Sequence, residues 1–295
     1  MRPLRLLILL ALLGAGAFWW ITRPNPLPAD AVAGLTGDAR KGEALFWAGG
    51  CASCHAARGA TGAAQLKLGG GQELATQFGT FVVPNISPDP ATGIGGWSLA
   101  DFANALTRGL SPAGQHLYPA FPYTSYSHMT LQDVADLKAY IDTLPPVVQA
   151  DAPHRLMFPF GWRRLIGGWK WLFLRPGWVV PDPLTPEEQR GRYLAEALVH
   201  CGECHTPRNL FGAMDSGRWL AGAPNPSGPG HIPNITPAKL DWSADDIATY
   251  LTSGLTPAFD SAGGDMAHVI ENLGHLTDAD RAAIAAYVKK VPPAN

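Results

Sequence analysis

Cys51-Ala52-Ser53-Cys54-His55 and Cys201-Gly202-Glu203-Cys204-His205 contain every cysteine of this 295-residue chain. Two thiols separated by two residues and followed at once by histidine form the attachment pattern of a c-type haem. The thiols add across the two vinyl groups of the porphyrin, and the histidine ligates the iron from the proximal side. A disulfide pair, a zinc site or a thioredoxin-like redox pair could use the same cysteines. Zinc needs a fourth ligand at finger spacing, and a redox pair sits in a strand–helix–strand unit; neither pattern surrounds either motif. The expected cofactors are two covalently bound haem c groups, held through Cys51, Cys54 and His55 and through Cys201, Cys204 and His205.

Working outward, the motifs belong to an internal duplication. Arg58 and Arg208 stand at the same distance past their histidines. Pro84-Asn85-Ile86-Ser87 returns as Pro233-Asn234-Ile235-Thr236, Trp97-Ser98 as Trp242-Ser243, and Leu110-Ser111-Pro112 as Leu255-Thr256-Pro257. Predicted closing helices over 131–144 and 278–291 each run into a Pro-Pro pair. Helix starts are written in capping residues: Ser98 with Asp101, Ser243 with Asp246, Thr130 with Asp133, Thr277 with Asp280, and Thr185-Pro186-Glu187-Glu188. No alternating strand pattern of useful length occurs. The expected fold is all-α, a tandem repeat of two class I cytochrome c-like haem domains over 35–146 and 184–295, with a linker over 147–183.

The N-terminus carries Arg2 and Arg5, an apolar run over 6–21, and then Thr22-Arg23-Pro24. The run is near the lower limit for a membrane span and slightly long for a signal-peptide core. Gly14, Ala15, Gly16 and Ala17 would permit cleavage, whereas bulky Phe18, Trp19 and Trp20 follow at once and resemble interfacial aromatics. The reading adopted is a retained signal-anchor, a transmembrane helix over 1–23. Its positive end stays inside, which puts the rest on the periplasmic side of the bacterial inner membrane. The formal net charge of −2 includes Arg2, Arg5 and Arg23, so the rest of the chain is mildly acidic at about −5, which argues against nucleic-acid binding.

A low-spin iron needs a ligand opposite the histidine, and methionine there raises the potential. Met157 falls in the linker and Met214 follows His205 too closely. Met129 and Met266 remain, each ahead of its domain's last helix, with Met266 expected in an exposed Gly263-Gly264-Asp265-Met266 loop. Core packing is the ordinary use of methionine. For the first site His128, His116 or an open position stay as alternatives. Arg58 and Arg208 suit haem propionates as fork-shaped cations, with plain surface exposure as the rival reading. Trp97 and Trp242 are propionate donors or core; Asn85 and Asn234 are propionate partners or turn formers. The stretch 153–180 mixes Phe158, Phe160, Trp162, Trp169, Trp171, Phe173 and Trp178 with Arg163, Arg164, Lys170 and Arg175. It reads as a bridge across both domains, with partner docking and a membrane surface as alternatives.

Several strings resemble a known group: Asn85-Ile86-Ser87-Pro88-Asp89, Thr92-Gly93-Ile94-Gly95-Gly96-Trp97-Ser98, His116-Leu117-Tyr118-Pro119-Ala120-Phe121-Pro122-Tyr123, and His275-Leu276-Thr277-Asp278-Ala279-Asp280. They look like the cytochrome c subunits of membrane-bound alcohol, gluconate and related sugar dehydrogenases. Those subunits carry three haem domains and relay electrons toward ubiquinone, whereas two are expected here. In them a methionine commonly stands at the position of Phe121, and the departure shifts the first sixth ligand to Met129. The resemblance implies an electron carrier, without its own substrate, between a dehydrogenase or quinol-oxidising respiratory complex and a downstream acceptor such as an oxidase. The competing class is a dihaem enzyme. A thiosulfate dehydrogenase-like enzyme would want a spare cysteine ligand, and a peroxidase-like one an open iron.

Overall fold

The structure, a computed structural model, describes residues 2–226 and 228–294; Met1 and Asn295, the outer limits of the expected ranges, lie outside the described residues. Helix α1 (Arg2–Ile21) extends the apolar run back through Arg5, giving 20 residues. At 1.5 Å per residue it is about 30 Å long, matching a bilayer's hydrocarbon core. None of its residues is buried against the body. Among the described residues it is the one helix long and apolar enough to cross a membrane.

The first half runs α2 (Ala39–Ala48), α3 (Cys51–His55), a hairpin of β1 (Glu73–Thr76) and β2 (Gly79–Val82), α4 (Leu99–Arg108), a short α5 (Tyr123–Tyr126) and α6 (Leu131–Ile141). The linker contributes β3 (Arg155–Leu156) and α7 (Arg164–Phe173). The second half runs α8 (Pro186–Arg192), α9 (Gly202–His205), the pair β4 (Ala223–Pro224) and β5 (His231–Ile232), α10 (Ala244–Ser253), α11 (Asp265–Leu273) and α12 (Asp278–Lys290). Ser98, Thr185 and Ser243 close full capping boxes at α4, α8 and α10. Thr130 and Thr277 cap α6 and α12. Their acidic partners look outward instead: Asp133 accepts from Tyr193 Oη, and Asp280 pairs with Arg190 at 2.8 Å.

In each half the helix before the Cys motif crosses the closing helix at a glycine. A Cβ on Gly42 would lie 2.0 Å from the Asp136 carbonyl oxygen, and one on Gly191 1.8 Å from that of Ala283. Gly191 is one residue farther from its motif than Gly42 is. The extra residue is absorbed by a π turn, Tyr193–Leu198, that continues α8; such a widened turn is the usual way to fit an insertion into a helix. The turn sets Glu196 into the interior, where it accepts from Val179 N at 2.7 Å, Val180 N at 3.1 Å and Tyr287 Oη at 2.5 Å. That carboxylate fastens the end of the linker to the second half.

The fold is mostly helical; all-α holds only approximately. β1, β2 and β3 form an antiparallel sheet with Glu73 opposite Val82 and Thr80 opposite Arg155, and β4 pairs with β5. Among the described residues no strand exceeds 4 residues, too short for alternation to show in sequence. Gly79, at φ +115°, lets β3 approach, since a Cβ there would meet the Arg155 carbonyl oxygen at 2.4 Å.

The linker touches all three parts. Arg164 donates to Trp19 O at 2.5 Å and to Thr22 Oγ1 at 2.8 Å at the end of α1. Arg163 donates to His116 O at 3.0 Å in the first half, and Trp169 Nε1 to Phe211 O at 2.9 Å in the second. Lys170 Nζ reaches Arg108 O and Gly109 O at 2.7 Å and His116 Nδ1 at 3.2 Å.

Burial pulls Lys170 down to about 7 from 10.5. Between those values the unfolded chain holds the extra proton. Stability therefore rises as pH climbs through that window, by at most ~1.4 kcal/mol per unit. His116, also lowered by burial, acts only below its own ordinary value. Thermal unfolding of Lys170→Met should lose the slope above neutral pH that the natural chain shows. Equal slopes would mean that Lys170 keeps its ordinary proton affinity.

Candidate functional site

Each motif histidine is held through one ring nitrogen. His55 Nδ1 lies 2.8 Å from Pro84 O, and His205 Nδ1 lies 2.8 Å from Pro233 O. A carbonyl oxygen only accepts, so Nδ1 carries the proton in both rings and Nε2 is left with a lone pair for a metal. The repeated Pro-Asn-Ile string builds this carbonyl. Asn85 accepts from Ser87 N at 2.9 Å and donates to Val147 O at 2.7 Å and Gln149 O at 3.0 Å. Asn234 accepts from Thr236 N at 2.8 Å and donates to Ala294 O at 2.7 Å. Both asparagines thus form the turn, and their side chains tie it to the segment after the closing helix.

A second clamp was not read from the sequence. Gly70 N donates to His55 O at 2.8 Å and Gly222 N to His205 O at 2.7 Å. Both glycines have positive φ, +71° and +83°; a Cβ on Gly70 would lie 2.4 Å from Pro84 O, and one on Gly222 2.8 Å from Asn234 N. Glycine is required on both counts. The repeat does not reveal them, because the loops after the two histidines differ in length and take these glycines out of register.

The electrostatics fit a haem ligand set and disfavour a redox thiol pair. Burial pushes the Cys51 and Cys201 thiols up to about 12, whereas redox-active thiols are acidified. Burial pulls His55 down to about 4 and lowers His205 as well, so both imidazoles are neutral, the ligating form. The four cysteines are free of disulfides. Among the described residues no three His, Cys, Asp or Glu side chains gather as a metal cage.

The other predicted residues are placed unevenly. Met129 is buried in the core at 6% exposure. Met266 sits in the first turn of α11, not in a loop, and packs half-buried against the core. His116 and His128 are committed elsewhere: His116 Nε2 lies 2.9 Å from Thr22 O, and His128 Nε2 lies 2.9 Å from Gly177 O with its ring stacked on Trp178. Arg58 is exposed beside its motif. Arg208 is turned onto Gly212 O at 2.8 Å and onto the carbonyl and carboxylate of Glu203. Trp97 and Trp242 pack half-buried against the core.

The two motifs also meet the opposite half in matching ways. Ser53 Oγ accepts from Asn272 Nδ2 at 2.9 Å. Glu203, the repeat counterpart of Ser53, accepts from Thr124 Oγ1 at 2.7 Å and Ser125 Oγ at 3.3 Å, and Ser125 is the counterpart of Asn272. Trp47 stacks on His275 across the same contact, 3.9 Å between centroids and 6° between planes. Reciprocal contacts of this kind are what a local two-fold axis generates. A single apolar cluster, including Phe46, Leu137, Leu198 and Tyr287, runs through both halves.

The family described as Cytochrome c matches residues 39–145. The chain is 62% identical over 291 residues to a protein named diheme cytochrome c-type from Cereibacter sphaeroides, covering 99% of this chain and 98% of that one. It is 40% identical over 260 residues to the fructose dehydrogenase cytochrome subunit of Gluconobacter japonicus, covering 85% of this chain and 52% of the relative. To the gluconate 2-dehydrogenase cytochrome c subunit of Pantoea cypripedii it is 36% identical over 270 residues, covering 85% and 59%. It therefore spans nearly all of the first relative and little more than half of the two dehydrogenase subunits.

Proposed function

The chain belongs to the c-type dihaem cytochromes, and on that premise we propose that it is a membrane-tethered carrier of single electrons on the periplasmic face of the inner membrane. The carrying observation is the duplicated histidine geometry, an Nδ1–H bonded to a prolyl carbonyl in both motifs. Bound at the two sites, haem c supplies one-electron oxidation and reduction of its iron. Cys51 and Cys54, and Cys201 and Cys204, hold the two groups covalently, while His55 and His205 present Nε2. The Pro84 and Pro233 carbonyls keep each ring oriented and its tautomer fixed. Residues 35–146 and 184–295 then act as tandem haem domains joined by 147–183.

Met129 and Met266 are the proposed distal ligands. With His116 and His128 already bonded elsewhere, Met129 is the favoured side chain for the first site. Arg58 is proposed to pair with a propionate, and Arg208 retains free N–H donors for the same role after bonding Glu203. The Ser53–Asn272 and Glu203–Ser125 contacts hold the attachment helices against the opposite halves, which suits electron exchange within the chain. The relatives named as cytochrome subunits of dehydrogenases support a dehydrogenase as donor. A respiratory complex or oxidase is the proposed acceptor, and α1 the tether to the membrane.

Carbon monoxide separates a carrier from an enzyme with an open iron. The dithionite-reduced full-length protein should give an unchanged spectrum under carbon monoxide, and Met129→Ala or Met266→Ala should each open one iron to it. Carbon monoxide binding at one iron of the natural chain, unaltered by Met129→Ala, would overturn Met129 as ligand and favour a peroxidase-like activity.

A further inference from the structure

The segment 157–162, Met157-Phe158-Pro159-Phe160-Gly161-Trp162, presents a bare apolar surface beside the end of α1. Phe158 is 97% exposed, Met157 54% and Trp162 53%. The segment is not loosely hung. Phe160 N donates to Met157 O at 2.8 Å and Trp162 N to Pro159 O at 3.0 Å, and the Phe160 ring meets Phe78 edge-on at 4.9 Å. Arg164, two residues on, is bonded to Trp19 and Thr22 and lies 4.2 Å over the Trp19 ring.

Depth follows from α1. The Trp162 ring packs 5.5 Å from that of Phe18, and an apolar notch between them is lined by Ala15, Gly16, Phe18, Trp19 and Trp162. Phe18 is three residues short of the helix end, so Trp162 stands roughly 4–5 Å below the point where α1 leaves its apolar run. That is the level of the interfacial aromatic belt. Trp19 and Trp20 are exposed at the same level, and Arg23 lies 3.6 Å over the Trp20 ring, at the headgroup side. An apolar patch continuous with a membrane span is covered by the same bilayer, and water-exposed patches of that kind are otherwise rare.

We propose that residues 157–162 lie in the outer leaflet's headgroup and upper acyl region as a second, non-spanning membrane contact. This rests on α1 being the tether. Two contacts fix an orientation where one tether leaves a swinging body. The contact therefore holds the first half, through Arg163 and Lys170, at a set height above the lipid.

With all four native cysteines engaged by haem, a nitroxide can be placed on Phe158→Cys, on Met157→Cys and, for an aqueous reference, on exposed Glu187→Cys. Each full-length holoprotein is reconstituted into phosphatidylethanolamine/phosphatidylglycerol vesicles, and label accessibility to oxygen and to a water-soluble nickel chelate is compared. The oxygen-to-nickel ratio at 157 and 158 should exceed that at 187 by several-fold. A protein that floats with the vesicles while 157 and 158 are as open to nickel as 187 overturns the second contact and leaves the tether standing. A full-length chain that does not float overturns the tether, and the contact with it.

Discussion

Valine in place of Gly191, or of Gly42, is expected to leave almost no haem-loaded protein. At both crossings the added carbon would sit about 2 Å from a backbone carbonyl oxygen of the closing helix, 1.8 Å at Gly191 and 2.0 Å at Gly42. Backbone cannot rotate away as a side chain can, so the two helices must separate and the core between them opens. Overpacking with a flexible neighbour costs about 1–3 kcal/mol; a backbone clash in a crossing that organises the half should cost more than ~4 kcal/mol. That is comparable with the whole stability of an ordinary domain, about 5–15 kcal/mol. Gly263→Ala, where nothing lies within 4 Å, should be neutral. Periplasmic yield of haem-stained protein measures all three. Near-normal yield of either valine variant would show that the crossings are looser than described.

Asn85→Leu is the second large effect. Asn85 is 3% exposed and satisfies two carbonyls and one amide with its side chain. Leucine has similar bulk and returns none of those bonds. Ser87 N, fully buried, is left unsatisfied, while Val147 O keeps Ser87 Oγ and Thr92 Oγ1 at 3.3 Å and Gln149 is exposed. One buried donor left unsatisfied costs about 1–3 kcal/mol, and a loss of that order is expected. Its consequence reaches the site, because the turn it stabilises presents the Pro84 carbonyl to His55 Nδ1. The denaturation midpoint should fall, and the first haem's spectrum should shift. Asn234→Leu should do less, since Asn234 is more exposed and donates to one carbonyl, Ala294 O, where Asn85 donates to two. Equal losses at the two positions would contradict this ranking.

The parts legible in the sequence share a physical origin: they are local. Cys-x-x-Cys-His spacing is fixed by the porphyrin, and Ser98, Thr130, Thr185, Ser243 and Thr277 cap helices three residues away. The duplication made Pro84 and Pro233 visible as a pair, though not as the carbonyls that orient the histidines. What stayed hidden depends on distant approach. Gly42 and Gly191 matter because of helices far along the chain, and the π turn is an insertion that no periodicity of its own reveals. The strands are too short to alternate. Gly264 turns the chain into α11 with Met266 already inside it, so a glycine pair that reads as a loop is the helix's entry. Ser53 and Glu203 differ in chemistry, and their reciprocal contacts became apparent only with both halves folded together.

Denaturing mass spectrometry of the periplasmically matured chain counts the covalent haems. The polypeptide should carry two haem masses, and peptides containing Cys51–Cys54 and Cys201–Cys204 should each retain one. Cys51→Ala and Cys204→Ala should each break a single thioether without displacing the other haem. One haem per chain, or a metal-loaded chain with free thiols and no haem, would contradict the account.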